Sequence, residues 1–145
     1  MIIDPEKDGI DHVNVYSKGK TWLGRKLSNF ADTPFTHPDH GRFRSVEGYW
    51  YWWSCRDDSL RGLHGFEAKK KGRELRGDDW NSSDEFKIDI LTALSSKLTA
   101  HSSILSTLQE EGLPLKHYYV YGGKVVEPKE GKWIIEFFES MQGKL

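Results

Sequence analysis

Residues 45–55 constrain the fold more than any other segment of the chain. Ser45 is suited to cap a helix that follows it. The next apolar residues share one helical face at i, i+3, i+4 and i+7: Val46, Tyr49, Trp50 and Trp53. Because Trp52 lies on the other side, apolar side chains emerge in nearly every direction. We therefore predict a helix that the rest of the protein covers almost all round.

Four further helices are predicted from periodicity and from capping and breaking residues. The first begins at Glu67 and ends at Gly72. The longest begins at Ser82, which has capping-box spacing to the glutamate three residues later. Its apolar face repeats at i+4: Phe86, Ile90, Leu94 and Leu98. A short helix that carries Ile104, Leu105 and Leu108 follows and stops at Gly112 and Pro114. A closing helix covers residues 133–141.

The predicted strands are short. Residues 13–16 alternate between apolar and polar side chains as a strand does. Residues 117–121 and 124–126 flank Gly122-Gly123, which is typical of a hairpin.

These elements predict an α+β fold, mainly helical with short strands. The length of 145 residues fits a single domain over residues 1–145. We expect the polar residues 1–12 to be loosely held.

Charge and cysteine content limit the partners and the compartment. The net charge of −1 produces no overall field that attracts nucleic acid, so any such contact needs a local basic patch. Cys55 is the sole cysteine, which suits a reducing compartment. We expect no signal peptide, because Asp4 and Glu6 follow Met1-Ile2-Ile3 at once, and we find no apolar run of membrane-spanning length. We expect a cytoplasmic protein without a membrane partner.

Glu47 is the first candidate for chemistry. It lies at the edge of the aromatic stripe, with Trp50 and Tyr51 three and four residues further along the helix. A carboxylate walled by aromatic side chains loses solvation, so its pKa rises toward the range useful for acid–base work at neutral pH. The alternative is a first-turn glutamate that only complements the helix dipole, which is common.

A basic cluster is the second candidate: Lys69, Lys70, Lys71, Arg73 and Arg76. Lys69 and Arg73 are four residues apart and share a face if the segment is helical. Such a pair can grip a phosphate, which arginine binds in a bidentate manner. A desolvated lysine can also attack a sugar carbonyl as an amine nucleophile. The alternative is a solvated basic face.

Two further groups have a structural alternative. Five aromatic residues can stack a base or fill the core: Trp50, Tyr51, Trp52, Trp53 and Trp80.

His37 and His40 are residue types that bind metals, but Pro38 and Gly41 already explain the segment as a type I turn. The remaining ligands of a metal site are missing nearby, so we predict that these histidines bind no metal.

Five short segments form a pattern that extends over about residues 13–140. They are Leu27-Ser28-Asn29-Phe30, Thr33-Pro34-Phe35, Arg44-Ser45-Val46-Glu47-Gly48-Tyr49-Trp50, Ala68-Lys69-x-x-Gly72-Arg73 and Asp79-Trp80. This pattern resembles the YbiA-like (NADAR) family, and it implies a YbiA-like fold.

The resemblance implies N-glycosidase chemistry. One branch of the family is linked to hydrolysis of early riboflavin-pathway intermediates, and another to removal of ADP-ribose from guanine. The expected substrate is a phosphorylated ribose nucleotide or ADP-ribosylated guanine, free or in nucleic acid, and no metal or organic cofactor is required. The implied catalytic residues are Glu47 and Lys69, the latter through a Schiff base with the opened ribose. The implied substrate-binding residues are Asn29, Phe30, Trp50, Arg73 and Trp80.

The chain also departs from the family pattern. Gly48 stands where the family usually has histidine, and Tyr51 begins a segment that replaces Gln-Ala-x-Lys. The acid of a late Asp-x-x-Trp-Gly-x-Gly motif has no counterpart, and Glu127 or Glu130 is the candidate substitute. The alternative function is a non-catalytic module that binds ADP-ribose or a related nucleotide. A protein-interaction domain, the third possibility, would expose a large apolar patch.

Overall fold

A computed structural model describes residues 2–76 and 83–143. The helices are α1 (Trp22–Leu27), α2 (Val46–Cys55), α3 (Gly65–Arg76), α4 (Asp84–Ala100), α5 (Ser102–Glu110) and α6 (Lys132–Met141), with 3-10 helices at Pro5–Lys7 and Asp58–Gly62. The strands are β1 (Val13–Asn14), β2 (Phe35–His37), β3 (Gly41–Phe43), β4 (Leu115–Lys116), β5 (Tyr119–Tyr121) and β6 (Lys124–Val126). This content confirms the predicted α+β class with more helix than strand.

The chain forms two compact units. Its two ends, up to residue 28 and from residue 103, form the terminal unit, and residues 29–102 form the central unit. The single-domain organisation stays a prediction.

The terminal unit is built around the parallel pairing of β1 with β4. The Asn14 side chain extends this pairing, because its amide donates to the Tyr118 carbonyl and its oxygen accepts from the Tyr118 N–H, each at 3.1 Å. The buried Asp8 carboxylate accepts hydrogen bonds from the N–H groups of Asn14 and Lys20. The expectation that residues 1–12 are loosely held is therefore wrong around Asp8, because these distant partners anchor the segment.

Of the other elements of this unit, two were predicted from the sequence and α1 was not. β5 and β6 form the predicted hairpin, with Gly122 and Gly123 at positive φ. α6 buries Ile134 and Phe138, as expected. The sequence pattern did not predict α1, which Thr21 caps by accepting the Gly24 N–H at 2.9 Å.

In the central unit, α2 is capped by Ser45 and buried on nearly all sides, as predicted. Ser45 accepts the Gly48 N–H at 3.0 Å, which satisfies a helix-terminal donor. Every residue of α2 except Ser54 is buried or half-buried. Trp52 is more deeply buried than Trp50 and Trp53, so the core contacts of α2 extend beyond the predicted stripe.

Two glycines let neighbouring segments approach α2 closely. A Cβ atom at Gly72 would lie 2.1 Å from Cγ of Tyr51, and one at Gly48 would lie 2.6 Å from the Leu60 carbonyl oxygen. The prediction that a helix ends at Gly72 is wrong, because α3 continues through it to Arg76. Glycine is present there because the Tyr51 ring occupies the space that a side chain needs.

α4 carries the predicted apolar face. Phe86, Ile90, Leu94 and Leu98 are all buried. Its capping residue is Ser83, which accepts the Phe86 N–H at 3.2 Å. The predicted start at Ser82 is therefore displaced by one residue, and Ser82 itself lies outside the described residues. Within the described ranges, no helix is long and apolar enough to cross a bilayer.

We predict that Gly72→Ala destabilises the protein by about 1–3 kcal/mol, because the new methyl group overpacks the Tyr51 ring. Gly62→Ala is the matched control, since a Cβ atom there meets nothing within 4 Å. Urea unfolding of both variants measures the difference. Equal stability of the two variants would show that α3 can move away from α2 at little cost.

Candidate functional site

The candidate site lies where α3 packs on the first turns of α2. Glu47 is in the first turn of α2 and is half-buried, and its N–H donates to the Asn29 carbonyl at 3.0 Å. The Phe30 carbonyl accepts the N–H of Gly65, the first residue of α3, also at 3.0 Å. The backbone of Asn29 and Phe30 therefore holds the beginnings of both helices.

Three cations of α3 act on the Glu47 carboxylate: Lys69, Arg73 and Arg76. Their spacing of four and three residues places them on one side of the helix. Burial raises the pKa of Glu47 from 4.5 to about 7, although the attraction of the three cations lowers it. The cost of desolvating the carboxylate therefore outweighs the attraction, and Glu47 changes charge near neutral pH.

Tyr51 of α2 packs against the α3 backbone at Gly72, on the helix that carries these cations. It is buried at 6% relative exposure, and the Arg76 guanidinium lies over its ring at 5.2 Å from the centroid. Burial and the charge of Glu47 raise the pKa of Tyr51, while hydrogen bonding with the Arg73 side chain opposes the rise. The pKa of Tyr51 therefore responds both to the Glu47 carboxylate and to the arginines of α3.

The structure brings most of the sequence-predicted site residues together. Glu47, Lys69 and Arg73 interact electrostatically. The Lys69 ammonium lies 5.8 Å from the centroid of the Phe30 ring. Asn29 contacts Glu47 through its backbone. From the sequence, Tyr51 was predicted only as a neighbour of Glu47 or as a stacking residue. Its contact with α3 could not be predicted, because it depends on how α3 packs against α2.

The aromatic residues have different places. Trp50 is half-buried and packs edge-on against Phe86, with ring centroids 4.8 Å apart. Trp52 is buried with the Arg56 guanidinium 4.4 Å and the Arg61 guanidinium 4.8 Å from its ring centroid, so its place is structural. Trp80, the other predicted stacking residue, lies outside the described residues.

His37 and His40 form part of the turn between β2 and β3, as predicted. The Nδ1 of His37 accepts the Asp39 N–H, so its Nε2 carries the proton and faces the Asp89 carbonyl at 3.3 Å. His40 is hydrogen-bonded to the Tyr49 hydroxyl at 2.7 Å. Burial and the nearby His40 lower the pKa of His37. Across residues 2–76 and 83–143, no three His, Cys, Asp or Glu side chains are grouped as metal ligands.

Glu127 and Glu130 lie in the terminal unit, and both are exposed. They line a groove of about 210 Å³ whose other residues include His117 and Glu136. Their substitution for the missing acid of the family motif stays a prediction.

Comparison with protein-family models, with curated proteins and with solved structures finds no match. The resemblance to the YbiA-like family therefore stays a prediction. Glu47 and the α3 cations are the residues whose chemistry suggests an activity.

We predict that Glu47→Gln stabilises the protein above pH 7. Because the pKa of Glu47 is higher in the folded protein than its ordinary 4.5, the folded state holds the proton more tightly. The wild-type free energy of unfolding therefore falls as pH rises from about 4.5 to about 7. Glutamine removes this loss, and the variant should be more stable than the wild type at pH 8 by up to about 3 kcal/mol.

Urea unfolding at pH 5 and pH 8 measures this effect, with Glu74→Gln on the exposed side of α3 as the matched control. The advantage of Glu47→Gln should be small at pH 5 and large at pH 8. An advantage that does not change with pH would mean that the Glu47 carboxylate is well solvated.

Proposed function

We propose that the chain is an N-glycosidase that hydrolyses the bond between ribose and base in a phosphorylated or ADP-ribosylated nucleotide. The observation that carries this proposal is the half-buried Glu47 carboxylate, with a pKa of about 7, facing three cations of α3. Removal of ADP-ribose from guanine and hydrolysis of a ribose-phosphate aminopyrimidine are the two reactions that the family resemblance favours.

The carboxylate suits the chemistry of the anomeric carbon. When the C1′–N bond breaks, its electron pair leaves with the base and the ribose becomes a cation like an oxocarbenium ion. The ionised Glu47 stabilises this cation, because a poorly solvated carboxylate interacts strongly with nearby charge. Water then adds at C1′, Glu47 accepts one of its protons, and the departing base takes up a proton.

The cations suit the phosphate of such a ligand. Arg73 is exposed and Lys69 is half-buried, so at least one cation is open to solvent beside Glu47. Guanidinium groups bind phosphate through paired hydrogen bonds. Because the formal net charge is only −1, the attraction for phosphate is local. A small phosphorylated group fits this arrangement better than a long duplex.

The aromatic side chains suit the base or the sugar. Phe30 and Trp50 are both half-buried, so each keeps a surface on which a ring can lie. Phe30 is also beside Lys69, which brings an apolar ring next to a phosphate-binding cation. A stacking role for Trp80 belongs to the same proposal.

We predict that the wild-type chain releases free sugar from ADP-ribosylated guanine or from riboflavin-pathway ribose phosphates, measured by mass spectrometry. Glu47→Gln should lower the rate about 100-fold or more, the usual range for loss of an acid–base group. Glu74→Gln serves as the matched control and should keep the wild-type rate. Binding of these compounds without release would assign the chain to the non-catalytic nucleotide-binding alternative.

The pH profile of the same assay tests the state of Glu47. Because the ionised form is the active one, kcat/KM should rise with pH and level off above about 7. A rate that falls as pH rises through 7 would contradict the role of Glu47 as a carboxylate, since it would require the protonated form.

We predict that Lys69 forms a covalent adduct with the opened ribose. Lys69 first transfers a proton to the Glu47 carboxylate, and its neutral amine then bonds to C1′ while the base departs with the electron pair of the C1′–N bond. The sugar ring opens to give an imine that water later hydrolyses. Borohydride reduces the imine to a stable amine, so peptide mass mapping should find the sugar on Lys69. Lys69→Arg, which keeps the charge, should show no adduct.

Robust turnover by the wild type without any adduct would contradict the covalent route. Attack by water with the help of Glu47 would then be the sole mechanism.

A further inference from the structure

We propose that the terminal unit binds an extended peptide segment of a partner protein. The segment pairs with the open edge of β6 and places an arginine side chain in the groove that Glu127 and Glu136 line. This inference does not rest on the proposed function, because every residue that carries it belongs to the terminal unit. Peptide binding and sugar release can therefore fail independently of each other.

β6 has one edge without a partner strand. Among the described residues, the sheet that contains β6 has two strands, and Val125 of β6 lies opposite Val120 of β5. The two-residue turn at Gly122 and Gly123 is followed by a hydrogen-bonded pair, and Val120 and Val125 form the next pair, which is not hydrogen-bonded. The N–H and C=O of Val125 therefore point away from β5, where an added strand can pair with them.

A cleft of about 640 Å³ lies beside β6. Alternate residues line it, namely Gly123, Val125 and Glu127, together with residues 2–5. Alternation is typical of one face of a strand, so the cleft follows an extended chain. Two isoleucines and a proline within residues 2–5 make this part of the lining apolar. The cleft therefore suits an apolar side chain of the bound segment.

The groove next to this cleft is acidic. Glu127 lines both cavities, so the two are adjacent. The groove has a volume of about 210 Å³ and is lined by four exposed glutamates and two lysines: Glu127, Glu130, Glu136, Glu139, Lys116 and Lys132. Within the described ranges, no ion pair joins any of these glutamates to a cation. Their excess negative charge is therefore complementary to a cationic side chain.

His117 adds a neutral acceptor to the same groove. Its Nδ1 lies 2.7 Å from the Val15 carbonyl oxygen. Because a carbonyl only accepts, Nδ1 carries the proton and Nε2 has a free lone pair. Burial lowers the pKa of His117, which favours this neutral form. A guanidinium has five donors and no acceptor, so it matches both the ring nitrogen and the carboxylates.

The positions of the two cavities indicate the order of side chains in the bound segment. Val125 and Glu127 are two residues apart and both line the cleft. An apolar residue and an arginine two positions apart on a paired strand can therefore reach the cleft and the groove together. The groove is smaller than the about 300–1,000 Å³ typical of small-molecule sites. It thus suits one side chain better than a whole ligand.

The probe is the blocked peptide acetyl-Ser-Val-Thr-Arg-Thr-Val-Ser-amide, which has valine two positions from arginine in both chain directions. It should bind the wild-type chain and slow hydrogen exchange of the Val125 N–H, measured by NMR, without slowing that of Val120. Glutamine in place of its arginine should weaken binding about 12-fold or more, the effect of hydrogen bonds to a charged group. Methylation of alternate backbone nitrogens should prevent binding in one register only, because every second N–H faces β6.

Two pairs of protein variants test the edge and the charge separately. Val125→Pro removes the outward N–H and keeps the bonds between β5 and β6, which belong to the neighbouring pairs. It should weaken peptide binding about 2- to 12-fold, whereas Val120→Pro, at the outer edge of β5, should not. Glu136→Gln leaves the hairpin unchanged and should weaken binding about 1.5- to 5-fold. Its control is Glu110→Gln on the exposed side of α5, which should bind as the wild type does.

The proposal is overturned if the arginine peptide does not bind, if the glutamine peptide binds equally well, or if the two methylated registers bind equally. Binding of spermine without binding of the peptide would also overturn it and identify a free amine as the ligand. Protection of Val125 that increases with protein concentration in the absence of peptide would identify a second copy of the chain as the occupant, against the proposal.

Discussion

The close packing of α3 on α2 at Gly72 is the interaction on which the candidate site depends. Tyr51 occupies the space that any larger residue at position 72 would need. Because α3 packs on α2, the cations of α3 come within electrostatic reach of Glu47, and burial removes water from its carboxylate. A wider separation would weaken both effects. Gly72 thus permits the close approach of α3 to α2 beside Glu47.

Two opposing effects of this packing leave Glu47 near the midpoint of its titration at neutral pH. Burial alone would keep the carboxyl protonated, and the attraction of the α3 cations alone would keep it ionised. Their balance places the pKa at about 7, where a carboxyl can both accept and release a proton. The protein is destabilised when it holds this charge, as is common where side chains serve chemistry rather than folding. A measured cost of this size would favour the proposed catalytic role of Glu47 over that of a glutamate that only complements a helix dipole.

Sequence patterns correctly predicted the elements that are stabilised by residues close together in the chain. The Ser45 cap, the i+4 apolar face of α4 and the Gly122-Gly123 hairpin all follow from neighbouring residues. Gly72 was misread as a helix end, because its low helix propensity is visible in the sequence and its contact with Tyr51 is not. The expectation that residues 1–12 are loosely held failed at Asp8, because its hydrogen bonds from the N–H groups of Asn14 and Lys20 are not visible in the sequence. In the site, the periodicity of each helix supplied Glu47, Lys69 and Arg73, whereas the central place of Tyr51 depends on the register between two helices.

The ionisation of Glu47 is the property on which the proposed chemistry depends most, and it can be measured directly in the wild-type protein. Glutamate labelled with ¹³C at the side-chain carboxyl gives a resonance whose shift reports protonation, and Glu47→Gln assigns it. Titration should give a midpoint near pH 7, well above the ordinary 4.5. A midpoint between 4 and 5 would contradict the account. It would mean that the cations and solvent compensate fully for burial, and Glu47 would then have no special suitability for catalysis.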